Sequence, residues 1–176
     1  VRHVSCQSFY LVRADTSAAI SRRRLLALVS AWHLPKDEDS HLAMTTVVSE
    51  LVTNAVSHGA GDLLTVTVRA DIGRSRLLIE VHDSSPVLPR FRRPSLDSES
   101  GRGMVLVEHL SIACGAENTS RGKRVWAELA LPMEPSAKRR SLYLRCASQA
   151  IVQRFLNVLR PLVRTGPGVL TAVSDR

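Results

Sequence analysis

The chain has 176 residues, 44% of them hydrophobic, and a formal net charge of +8. That length and apolar share allow one domain with a real core plus an appendage, and they exclude wholesale disorder. No apolar run approaches the roughly 18 residues of a membrane span, and the start shows no charged-then-apolar signal pattern. Three scattered cysteines, Cys6, Cys114 and Cys146, suggest neither a disulfide framework nor a zinc site, so a reducing cytoplasm is the expected location.

In chain order, residues 8–13 read as a short strand. Thr16 or Ser17 can cap a helix reaching about Trp32, with Ala19, Ile20, Leu25, Leu26, Leu28 and Val29 as its apolar surface. Arg22, Arg23 and Arg24 within it read as a solvated face. Pro35 breaks the chain, and Asp37, Glu38 and Asp39 suit the positive end of a second helix running to about His58, where Gly59 and Gly61 stop it. Leu63–Ala70 and Arg76–His82 alternate as two strands of a hairpin. Residues 84–100, rich in proline, serine and arginine, form a loop; residues 103–111 form a short apolar helix. Ser111–Glu117 and Lys123–Leu131 close the domain as strands. The expected architecture is α+β, a two-layer sandwich of a mixed, mostly antiparallel sheet with helices on one face.

Pro132 and Pro135 mark a boundary, giving a domain over 1–133 and a tail over 134–176. The tail holds 8 of the 24 Lys/Arg but only 2 of the 16 Asp/Glu, so most of the excess charge lies there. Ser141–Leu159 suits an amphipathic helix with Leu144, Ala147, Ile151, Phe155 and Val158 on one side. Its broad apolar side favours packing on its own domain or a dimer partner over nucleic acid or membrane.

Chemistry concentrates in the second helix. Val48, Leu51, Val52, Ala55 and Val56 make its apolar stripe, leaving Glu50, Asn54, Ser57 and His58 on another face at spacings of three and four. A carboxylate and a carboxamide one turn apart converge on a small volume, a geometry that suits a base beside a metal ligand. Downstream, Asp83 ends an apolar strand, and about eighteen residues later Gly101-Arg102-Gly103 opens a helix. Glycines there let backbone N–H groups approach an anion, which the helix N-terminus also favours.

The order Glu-x-x-x-Asn on a helix, Asp after a strand, then Gly-x-Gly at a helix start resembles the N, G1 and G2 boxes of the GHKL ATPases. The phrase Ser49-Glu50-Leu51-Val52-Thr53-Asn54-Ala55-Val56 looks most like the RsbW-type anti-sigma serine kinases and their short bacterial relatives. The likeness covers roughly residues 8–132. It implies a Bergerat-type fold binding ATP and Mg2+, with Asn54 as the metal ligand, Glu50 as the catalytic base, and Gly101, Arg102 and Gly103 at the phosphates. It also implies that His58 lies near the phosphates, that Asp83 accepts a hydrogen bond from adenine, and that the 84–100 segment is a lid.

Two departures stand out. The usual Asp-x-Gly-x-Gly box is replaced by Asp83-Ser84-Ser85-Pro86-Val87, without glycine. Where many members carry a threonine, this chain has Lys123 and Arg124; one of them can meet phosphate, although strand-end basic residues are ordinarily solvated. Two functions follow from the resemblance. One is a protein serine/threonine kinase acting as an anti-sigma factor, a homodimer that clamps a sigma factor and phosphorylates an anti-anti-sigma (STAS-type) partner, with no direct contact to nucleic acid. The other is a nucleotide-binding or degenerate module that regulates by sequestration alone. Only the first needs Glu50.

Overall fold

The computed structural model describes residues 4–89 and 102–132, as eight elements: β1 (Val4–Val12), α1 (Ser17–Ala31), α2 (Glu38–His58), β2 (Leu63–Asp71), β3 (Arg76–Asp83), α3 (Arg102–Leu110), β4 (Ala113–Thr119) and β5 (Gly122–Ala130). Residues 90–101, which hold most of the expected lid over 84–100, and everything after 132, including the expected helix over Ser141–Leu159, lie outside the described residues.

The strands form one sheet in the order β1-β2-β3-β5-β4. Every pairing in it is antiparallel, so the expected mixed sheet has no parallel component among the described residues. Strand alternation puts Leu64, Val66, Val68 and Ala70 of β2, Leu77, Ile79 and Val81 of β3, and Val125, Ala127 and Leu129 of β5 on one buried face. The helices cover that face, with α2 lying across β3 and β5 and holding α1 and α3 on its flanks. The opposite face is polar: Arg124 reaches Glu80 at 3.1 Å and Glu117 at 3.3 Å. The result is the expected α+β sandwich.

The capping at the start of α1 differs from expectation, while its end at Ala31, with Trp32 as C-cap, agrees with it. Thr16 has helical backbone angles and makes no side-chain cap; Ser17 instead gives its hydroxyl proton to the Val12 carbonyl, fixing the helix to the end of β1. The buried line of α1 is Ser17, Ser21, Leu25 and Val29, a strict four-residue spacing that leaves Ala19 exposed. Arg22 is not simply solvated but donates to Ser49 Oγ at 2.9 Å, and Arg24 stacks over Phe9 at 5.1 Å.

α2 begins as its acidic lead predicts. Asp37 Oδ1 accepts from Ser40 N at 2.8 Å, while Ser40 Oγ accepts from Asp37 N at 2.9 Å. This reciprocal cap is worth about 1 kcal/mol. Met44, Val47, Val48, Leu51, Val52 and Ala55 are all buried against the sheet, which fixes the rotation of α2 and therefore where its polar face points.

Candidate functional site

The rotation of α2 that buries Leu51 and Ala55 leaves Glu50 and Asn54 half-buried beside α3. Glu50 lies directly against the first turn of α3. A Cβ at Gly103 would collide with Glu50 Oε2 and come within 3.2 Å of its carboxyl carbon. Gly103 is therefore the residue that admits the carboxylate. Desolvation by this burial pushes the Glu50 carboxyl up from its ordinary value of 4.5. Asn54 Oδ1 is buried and accepts no hydrogen bond among the described residues. An orphaned buried carbonyl oxygen costs about 1–3 kcal/mol, and a hard cation is the kind of partner that would satisfy it.

The second cluster sits at the C-terminal end of β3. Asp83 and Lys123 are cross-strand partners, and both share the parity of the core residues on their strands, so both side chains turn inward. Lys123 Nζ lies 3.3 Å from Asp83 Oδ2, with the two side chains 1% and 0% exposed. The contact falls within ion-pair distance without the alignment of a hydrogen bond. The same ammonium donates to the His58 carbonyl at 3.4 Å. Asp83 Oδ1 accepts from Ser85 N at 2.7 Å, the hydrogen bond of an Asx turn. Lys123 is thus fully buried, which corrects the expectation of a solvated strand end. Arg124, one residue on, faces the other side of the sheet and its carboxylates.

The glycines missing after Asp83 are supplied from elsewhere. Gly122 holds φ at +139°, and a Cβ there would strike the Asp83 carbonyl and lie 2.6 Å from Ser84 Cα. From the opposite side Gly59 passes so close that a Cβ would lie 3.0 Å from Asp83 Cγ, and Ser84 N donates to the Ala60 carbonyl at 3.1 Å. Gly59 and Gly122 thus let their own segments pack directly against the Asp83 turn.

Of the residues singled out from sequence, Glu50 and Gly103 meet at the α2–α3 contact with Asn54 one turn along α2 from Glu50, while Asp83, Lys123 and the carbonyl of His58 converge one helical turn further along α2. The His58 side chain itself is exposed. Arg102 opens α3, its side chain lying outside the described residues, as does Gly101. Gly59, Gly122 and Ser85 were missed. The signal for Ser85 is the Asp-Ser-Ser run of an Asx turn, and that for Gly122 is its position immediately before an inward-facing residue.

A family model described as the histidine kinase-like ATPase domain matches residues 12–129. The chain belongs to that family. Among solved structures it resembles the RsbU and RsbW domains of Rv1364c from Mycobacterium tuberculosis, at a TM-score of 0.55 and 18% identity, over 72% of this chain. The match spans 32% of that longer protein, and at this identity it speaks for the fold alone. No curated protein sequence matches the chain.

Proposed function

We propose that this protein binds Mg-ATP and acts as a serine/threonine kinase of the RsbW type, an anti-sigma factor that phosphorylates an anti-anti-sigma partner. The observation that carries the reading is the buried, unpartnered Asn54 Oδ1, one turn from a desolvated carboxylate and beside a helix N-terminus.

Asn54 would hold the magnesium ion through that oxygen, a hard ligand of the kind the ion prefers. When bound, the metal neutralises charge on the phosphates and fixes their orientation. The N–H groups at the start of α3 would favour the phosphates at that helix N-terminus. Glu50 takes the proton of the attacking serine hydroxyl as its oxygen bonds to phosphorus and ADP leaves. Burial suits it to this work, because a raised pKa makes the ionised carboxylate a stronger proton acceptor. Homodimer formation and sigma-factor capture rest on the RsbW resemblance.

One observation favours the sequestration alternative. Asp83, the acceptor expected to meet adenine, is already paired with Lys123. Incubation with γ-labelled ATP and a STAS-domain protein separates the two readings. The kinase reading expects label on a partner serine, lost in Glu50→Gln. Transfer undiminished in that variant would remove Glu50 as the base, and no transfer by the unaltered protein despite ATP binding would leave sequestration.

A further inference from the structure

The expected base contact and the observed one differ in polarity. A carboxylate is an acceptor only, which is why it selects a purine carrying a 6-amino donor. Here Asp83 Oδ1 accepts from Ser85 N at 2.7 Å, while Oδ2 lies at ion-pair distance, 3.3 Å, from the Lys123 ammonium without hydrogen-bond alignment, and the side chain is 0% exposed. An ammonium has three N–H donors and no acceptor; the His58 carbonyl accepts one of them, and the charge is held beside Asp83 as an ion pair. The base end of the site therefore holds a proton donor tied to the carboxylate.

We propose that Lys123 is a specificity-determining residue: by holding Asp83 and adding a donor beside it, Lys123 removes the preference for a 6-amino purine over a 6-oxo purine. The inference rests on the nucleotide-binding reading above and concerns one end of that site. Strand parity places the ammonium there independently of any ligand, since Lys123 follows the inward alternation of Val125, Ala127 and Leu129 and sits directly opposite Asp83. The cradle of Gly122 and Gly59 around Asp83 fixes the turn that carries the acceptor.

The test compares ATP with inosine triphosphate, which differs at the purine 6-position and the adjoining ring nitrogen. Titration calorimetry of the full chain in magnesium should give affinities within tenfold of each other. A free carboxylate reading the amino group contributes more than tenfold. Replacement Lys123→Thr should restore that gap, raising the ATP to inosine triphosphate ratio at least tenfold. Because the exchange leaves a buried carboxylate without its counter-ion and can unfold the chain, the unaltered protein is the primary readout.

ATP bound more than tenfold tighter than inosine triphosphate by the unaltered protein overturns the proposal while leaving the nucleotide site intact. A folded Lys123→Thr protein with an unchanged ratio overturns it as well. If neither nucleotide binds, the nucleotide-binding reading falls first and the proposal with it.

Discussion

Glu50 and Asn54 lie one turn apart on α2, and burial is costly to both. Glu50 is a carboxylate made costly to ionise by burial. With its pKa raised in the folded chain, the native state holds the proton to higher pH than the unfolded state. Stability therefore falls as pH rises from about 4.5 through the raised value. Glu50→Gln removes that penalty, so thermal unfolding should show a gain of roughly 1–3 °C at pH 8 that vanishes towards pH 4. The same variant should keep nucleotide binding and lose roughly a hundredfold or more in phosphoryl transfer. Asn54 is a second burden, a neutral group whose buried oxygen is orphaned. Asn54→Ala should leave thermal stability equal or higher while abolishing the magnesium dependence of nucleotide binding. A polar residue that costs stability and is needed for binding marks a site rather than a scaffold.

At the scale of the element, the two glycines that flank the site predict different losses. Gly122 combines φ of +139° with backbone neighbours that cannot yield. Gly122→Ala should cost about 2–4 kcal/mol in urea unfolding. The neighbour of Gly103 is the tip of the Glu50 side chain, which can swing aside. Gly103→Ala should hold stability within about 1 kcal/mol yet impair transfer by displacing Glu50. The β3–β5 ladder also shows what the sequence makes legible. The long apolar stripe of α2 and its acidic lead Asp37, Glu38 and Asp39 reveal that helix and its polar face without any partner. Asp83 and Lys123 are a long-range pair, and nothing local announces that β3 and β5 are neighbours. Lys123 reads as solvated by residue type, although it shares the parity of Val125, Ala127 and Leu129. Parity alone places it inward; only the register supplies the carboxylate that lets a charge stay there. Asp83 and Lys123 side chains stripped of one partner should destabilise the chain by about 3–5 kcal/mol, read in the same urea series with Lys123→Met.

At the scale of the molecule, the charge is divided between two regions. The 1–133 segment carries +2 of the +8, and the remainder follows it. The sheet, its helices and both clusters of the site are complete by Leu131, with the core closed by Leu129 and Leu131. A chain of residues 1–133 should therefore fold cooperatively and keep the nucleotide affinity of the full chain within about threefold, measured by titration and thermal unfolding. No helix among the described residues is long and apolar enough to cross a membrane. The family and the fold rest on the whole of this layered domain, whereas the proposed kinase activity rests on a few side chains along one face of α2.

The most direct test of the central claim is calorimetric titration with ATP, with and without magnesium, of the full chain and of Asn54→Ala. The account predicts saturable binding that needs magnesium and disappears in a variant still folded. Binding that is indifferent to magnesium, or equally strong in Asn54→Ala, would contradict it.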